Sequence, residues 1–183
     1  MHKKNQFLLL KLARNTLEAA FSDEDPDTSA CIHLTQLRGC FVTLHKQQQL
    51  RGCIGFPKPI MPLYEQVIAA TKAAAFEDPR FDPVNVKELK DIIIEISILT
   101  RPELIKVTDF KEYLQKIEVG RDGLIIQGES SGLLLPQVAT EYHMDAKAFL
   151  ESLCEKAGLA KDAWKDLKNK IYKFHAEIFA EKE

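Results

Sequence analysis

The run Ile92-Ile-Ile-Glu-Ile-Ser-Ile-Leu99 limits the fold more than any other stretch of the chain. Ile92, Ile94, Ile96 and Ile98 recur at every second position, the period of a strand, and β-branched side chains suit its pleated surface. The alternate positions are Ile93, Glu95, Ser97 and Leu99. A strand that is apolar on one side and half apolar on the other belongs inside a sheet, with Glu95 and Ser97 on its second face. An internal carboxylate is costly without a partner. Glu95 is therefore expected either to face a cleft or to meet an arginine, with Arg51 and Arg80 as the candidates.

Around this strand the pattern alternates between helix and strand. Residues 5–21 predict an amphipathic helix with Leu10, Ala13, Leu17, Ala20 and Phe21 on one face, followed by a polar loop over 22–29. Strand-like runs at 39–44 and 50–54 are joined by His45-Lys-Gln-Gln-Gln49, a link short enough to require an antiparallel hairpin. Pro57, Pro59 and Pro62 stiffen the next loop. A helix over 61–76 then presents Leu63, Val67, Ala70 and Ala74 on one face and stops before Pro79. Asn85 and Glu88 have capping-box spacing for one short helical turn. Further on, the pattern predicts a short helix over 109–115 capped by Thr108, and strand pieces at 117–119 and 124–127 about Gly120-Arg-Asp-Gly123. Helices follow over 136–142 and 146–157, the second capped by Asp145 and stopped by Gly158. A last strand alternates Tyr172, Phe174, Ala176 and Ile178 against Lys173, His175 and Glu177, the latter set read as a solvated face. The mixture implies an α+β fold with a mixed or antiparallel central sheet and flanking helices.

At 183 residues, 45% hydrophobic and 28% charged, the chain is expected to fold as one domain over 1–183 without help from a metal or disulfides. Lys plus Arg number 25 against Asp plus Glu 27, a net charge of -2 that lacks the basic excess of a nucleic-acid binder. Lys161, Lys165, Lys168, Lys170 and Lys173 are diluted by Asp162 and Asp166, as on a solvated face. Cys31, Cys40, Cys53 and Cys154 include no CxxC pair, which argues for a reduced, cytoplasmic setting and against structural zinc. His33, His45 and His143 have no metal-ligand spacing, and no cofactor is expected. The apolar start at Phe7 to Leu10 is broken by Lys11, Arg14 and Glu18, so neither a signal peptide nor a membrane helix is indicated.

The chemistry-bearing stretches are few. Leu-Arg-Gly-Cys occurs at 37–40 and again at 50–53. On a hairpin the two cysteines are expected close together, directly across or one diagonal away. Cys53 can be read as a nucleophile whose thiolate is favoured by Arg51 and by backbone amides near Gly52 and Gly55, with Glu95 or Asp78 handling protons. Cysteine on a strand is more often a small buried apolar residue, and a Cys40–Cys53 redox pair is rarer still. Gly52 and Gly55 mark either a close approach of ligand or backbone, or a strand leaving its sheet. In Asp78-Pro-Arg-Phe81, Arg80 could clamp an anion through its planar fork. The commoner use of such a pair is a loop-stabilising ion pair. No Walker loop, GxGxxG, GxSxG, HExxH or EF-hand occurs.

Taken together, these stretches resemble the AMMECR domain family, specifically its AmmeMemoRadiSam system protein A-like members. The resemblance is carried by Arg38-Gly-Cys-Phe-Val-Thr-Leu44, Leu50-Arg-Gly-Cys-Ile-Gly55, Ala74-Ala-Phe-Glu-Asp-Pro-Arg-Phe81, Glu95-Ile-Ser-Ile-Leu99 and Gly120-Arg-Asp-Gly-Leu-Ile-Ile126. It continues through Gly132-Leu-Leu-Leu-Pro-Gln-Val-Ala139, Lys156-Ala-Gly-Leu159, Trp164 and Lys170-Ile-Tyr-Lys-Phe174, nearly the whole chain in order. It departs at Cys40, where the family commonly has a small residue such as alanine, and at Met144, which replaces an aromatic. The resemblance implies a larger and a smaller subdomain, with a cleft near residues 50–55 and 76–83. It implies a place in a pathway shared with Memo-like and radical-SAM proteins, but it brings no defined reaction. On this reading Cys53, Arg51 and Glu95 are the candidate catalytic residues, and Gly52, Gly55, Asp78 and Arg80 the candidate ligand-binding ones. The ligand would be small and anionic or metabolite-like. The alternative is a non-catalytic protein-interaction module, docking through the glycine-flanked strand or the Pro57–Pro62 loop.

Overall fold

The computed structural model describes residues 1–22 and 24–182; Asp23, in the expected polar loop, and Glu183 lie outside the described residues. In chain order it contains α1 (Lys3–Ala19), β1 (Cys40–Lys46), β2 (Gln49–Phe56), α2 (Leu63–Phe76), a 3-10 turn (Val86–Asp91) and β3 (Ile92–Leu99). Then come β4 (Glu103–Leu104), a 3-10 turn (Phe110–Glu112) running into α3 (Tyr113–Lys116), β5 (Gly123–Gln127), β6 (Ser131–Leu134), α4 (Pro136–Glu141), α5 (Ala146–Lys156), β7 (Lys170–Phe174) and β8 (Ala176–Ala180). Among the described residues the strands form two four-stranded sheets, ordered β2-β1-β3-β8 and β4-β7-β5-β6. Helices with antiparallel sheets are the α+β arrangement that the pattern implied. No helix among the described residues is long and apolar enough to cross a membrane. The chain divides into a larger unit, Met1–Leu99 resumed from Glu177, and a smaller one, Thr100–Ala176.

In the larger unit the hairpin closes more tightly than its five-residue link suggested. Lys46 pairs with Gln49, so Gln47 and Gln48 alone make the turn, with φ of 51° and 63°. Two successive left-handed residues describe the turn whose twist matches a hairpin, here built without the usual Asn or Gly. β3 pairs with β1 on the other side, as an internal strand should. Ile92, Ile94, Ile96 and Ile98 join Val42 and Leu44 in a fully buried layer with α1 and α2. The expected face of α2 is buried at Leu63, Val67, Ala70 and Ala74. On α1 the buried stripe is Leu9, Leu12, Ala13, Thr16 and Leu17, rotated from the predicted one; Leu10 lies at its margin and Phe21 is exposed. The predicted capping box is present, with Glu88 bonded back to the Asn85 amide.

In the smaller unit, Leu124, Ile126, Phe149, Leu150, Leu153, Trp164 and Ile171 form a second core. Asp145 caps α5 by accepting the Ala148 N–H at 2.8 Å. Three expectations change here. Residues 117–119 form no strand. Asp109, boxed with Glu112, caps the turn that leads into α3, while Thr108 donates to Glu112. The single terminal strand is in fact β7 and β8, one in each sheet, broken at His175. There the His175 N–H donates to Thr100 Oγ1 and its carbonyl accepts the Thr100 N–H, both at 2.8 Å.

Candidate functional site

β2 is an edge strand, and its middle is Leu50-Arg-Gly-Cys-Ile-Gly55. Cys53 is opposite Thr43. Its N–H donates to Asp78 Oδ2 at 2.8 Å, and its carbonyl accepts from Arg80 Nη2 at 3.3 Å. Those backbone groups therefore point away from β1. Thr43 and Cys53 form a non-hydrogen-bonded pair, the kind in which side chains approach most closely. Accordingly Thr43 Oγ1 donates to Cys53 Sγ at 3.2 Å.

Asp78 is held tightly in this position. Arg80 forks onto it, Nε to Oδ1 at 2.9 Å and Nη2 to Oδ2 at 2.7 Å, and the Arg80 N–H adds a bond at 3.1 Å. The Arg80 hydrogen bonds outweigh the effect of burial and, helped by the Cys53 amide, keep the Asp78 carboxyl well below the usual carboxylate range. A carboxylate so stabilised is a poor general base. Asp78 and Arg80 thus seal the sheet edge at Cys53. Arg80 keeps 54% of its side chain exposed, and only this outer part is open to a ligand.

Arg51 also turns away from the thiol. It forks onto Glu88 at 3.1 and 3.0 Å, and Lys46 joins the same carboxylate at 2.9 Å. Arg51 foremost, with Lys46 and the Asn85 amide, holds Glu88 down to about 2 against burial. Gly52 faces α2 so closely that any Cβ would penetrate the Ala74 carbonyl, and a Cβ on Gly55 would enter the Phe41 ring. For both glycines the close approach is to protein, not to ligand.

The register also separates the two cysteines. Cys40 pairs with Phe56, so it lies three positions from Cys53 along the ladder and on the opposite face. The two-residue turn together with the register shift between Leu44 and His45 sets this offset, and the expected proximity of Cys40 and Cys53 is not found. Cys40 is fully buried, and burial pushes its thiol up to about 12. Cys53 is half-buried, whereas Cys31 and Cys154 are buried.

What remains open is a row of side chains across the second face of the sheet. Thr43 is the partner of Cys53 on one side and of Glu95 on the other. With adjacent strands about 5 Å apart, Cys53 and Glu95 stand about 10 Å from each other across Thr43. Glu95 has no hydrogen bond or ion pair among the described residues, so neither Arg51 nor Arg80 pairs with it. Of the seven candidate residues, Cys53 and Glu95 thus share this face, while Arg51, Gly52, Gly55, Asp78 and Arg80 serve the scaffold.

The smaller unit holds a cluster that the sequence did not disclose. Asp122 is fully buried; its Oδ1 lies 2.8 Å from His175 Nε2, its Oδ2 lies 3.3 Å from Lys173 Nζ, and it accepts the Glu118 N–H at 2.9 Å. Burial acts to raise its pKa, but the Glu118 amide, His175 and Lys173 together bring it below the ordinary value. His175 is therefore not part of a plain solvated face, and neither is Glu177, which binds Arg38 at 2.8 Å and the N-terminal ammonium. The β5–β7 register, Gly123 opposite Phe174, brings Asp122 and His175 together. The one signal in the sequence was an aspartate between glycines ahead of an apolar strand.

Comparison with known proteins agrees over the whole molecule. A family model described as AMMECR1 matches residues 10–179. Protein MJ0810 of Methanocaldococcus jannaschii is 56% identical over 149 residues, 80% of this chain and 74% of its own. A Thermococcus onnurineus protein is 49% identical over 182 residues, covering 94% of this chain and 88% of that one. The crystal structure of the uncharacterized protein PH0010 from Pyrococcus horikoshii superposes with a TM-score of 0.82 at 43% identity, covering 100% of this chain and 94% of that chain. With the family model spanning nearly the whole chain and the fold shared with such a relative, this protein belongs to the AMMECR1 family.

Proposed function

We propose that this chain handles a small molecule on the open face of its larger sheet, lying over Thr43 between the Cys53 thiol and the Glu95 carboxylate. The observation that carries the reading is the row Cys53–Thr43–Glu95, in which the half-buried thiol already accepts a hydroxyl hydrogen bond and the carboxylate has no partner among the described residues. A ligand about 10 Å long would meet both ends. Cys53 is the nucleophile on this reading, and Glu95 exchanges protons with the far end of the ligand. An anionic group on the ligand would meet the outer side of Arg80. The alternative, a module that docks partners by strand addition at the glycine-flanked strand, is disfavoured because Asp78 and Arg80 already occupy the outward groups of Cys53.

The family resemblance supports a pathway shared with Memo-like and radical-SAM proteins, and four unpaired cysteines suit a cytoplasmic setting. The test is alkylation of the native protein by iodoacetamide across pH, followed by peptide mass spectrometry. Cys53 should be modified while Cys31, Cys40 and Cys154 stay protected, and Glu95→Gln should alter which electrophilic fragments Cys53 captures. A Cys53 that reacts only after unfolding would end this reading.

A further inference from the structure

The two edges of the larger sheet are finished differently. At β2 the edge is closed by Asp78 and Arg80. At β8, the opposite edge, no backbone hydrogen bond arrives from the outer side among the described residues. The one charged side chain within β8, Glu177, is committed to Arg38 and the N-terminus. Ile178 is 51% exposed. Native sheets usually protect such an edge with a charge, a proline or a covering segment.

Beside this edge runs a groove of about 770 Å³ between β8 and α1. Its apolar floor is Phe7, 66% exposed, with Leu10 and Phe179, which also pack against the core. Its rim carries Lys3, Lys11 and Lys182, which form no ion pair among the described residues, and it ends at the Arg14–Glu181 pair. Lys3 and Lys11 are two turns apart on α1, about 12 Å, the length of about four residues of extended chain.

We infer that this groove is a docking site for an extended acidic segment of a partner protein, added as a strand beside β8. Alternate side chains of such a strand point to opposite faces, so apolar ones would enter the Phe7–Leu10–Phe179 trough. Acidic residues flanking them would meet the three lysines, which supply the selectivity and the steering. The site is remote in the sheet from Cys53, on the far edge strand, and is independent of the small-molecule reading.

The test is fluorescence anisotropy of the intact chain with a short labelled peptide alternating glutamate and valine. Matched peptides carry lysine for glutamate, or proline for a central valine. The expected result is saturable, salt-sensitive binding of the glutamate peptide alone. It should weaken about tenfold or more in Lys3→Glu/Lys11→Glu and in Phe7→Ser, all exposed positions whose circular dichroism should stay unchanged. Since the Glu181 N–H donates to Ile94 in β3, the outward amides are those of Ile178 and Ala180, and their exchange should slow on binding. The inference is overturned by no binding at about 1 mM peptide, by equal binding of the lysine or proline peptide, or by binding that ignores the variants. Cosedimentation with phosphatidylglycerol vesicles through the same lysines, without peptide binding, would assign the groove to a membrane surface instead and equally overturn it.

Discussion

Asp78 Oδ2 stands 2.8 Å from the amide nitrogen of Cys53, where the carbonyl of a neighbouring strand would otherwise be. A side chain from the loop after α2 thus completes the hydrogen bonding of an edge strand. The pairing of Asp78 with Arg80 fixes its orientation. Much of what Leu50–Gly55 and Asp78–Phe81 do is explained by this one junction and by Glu88 on Arg51.

The junction should make the protein acid-sensitive in a specific way. The folded-state carboxyls of Asp78 and Glu88 lie below the unfolded values of about 4, so their contribution is present above those values and is lost as pH falls toward the folded ones. Asp78→Asn should cost about 2 kcal/mol at neutral pH. Urea unfolding followed by circular dichroism should show the parent losing stability between about pH 5 and pH 3 more steeply than Asp78→Asn/Glu88→Gln. Parallel acid limbs would refute the assignment.

Gly52→Ala should destabilise strongly, because its Cβ would meet the Ala74 backbone carbonyl rather than a movable side chain. The expected loss is about 3 kcal/mol, seen as a Tm about 10 °C lower. An unchanged Tm would mean that α2 can shift from β2 freely.

The Gln47-Gln48 turn predicts a gain. Both residues hold positive φ, a conformation that Asn and Gly adopt at lower cost. Replacing the pair by Asn-Gly should stabilise the protein by about 1 kcal/mol in urea titration, with no change in hairpin register by NMR.

Asp122 anchors the smaller unit. Asp122→Ala would leave Lys173, His175 and the Glu118 amide without their shared acceptor, at a cost of about 3 kcal/mol. His175→Gln, at a half-exposed side chain, should cost about 1 kcal/mol or less by the same measurement. Equal effects of the two changes would mean that the buried carboxylate is not the organising group.

How far the sequence reveals this molecule depends on the range of the interactions. β3, α2 and the Asn85–Glu88 box follow from local periodicity and capping chemistry, and the structure has them where expected. The rotated stripe of α1 was less accessible, since Leu10 packs at the core margin while also lining the groove. The separation of Cys40 from Cys53 turned on a two-residue loop and a one-residue register shift between Leu44 and His45, neither of which the Gln-rich sequence discloses. Arg51 and Arg80 looked like ligand groups because their partners, Glu88 and Asp78, are chosen by tertiary pairing. Asp122 met His175 and Lys173 through a strand register linking residues some fifty positions apart, which no local pattern encodes.

The placement of Cys40 and Cys53 on opposite faces of one sheet has a chemical consequence. If peroxide converts the Cys53 thiol to a sulfenic acid, the sheet itself stands between it and Cys40, and Cys31 lies buried against α1, bonded to the Leu8 carbonyl. No resolving thiol of the larger unit can reach it. Such an oxidised Cys53 would persist until a thiol from solution, such as glutathione, condensed with it, so the redox state of this position would report the surrounding thiol pool rather than an internal disulfide.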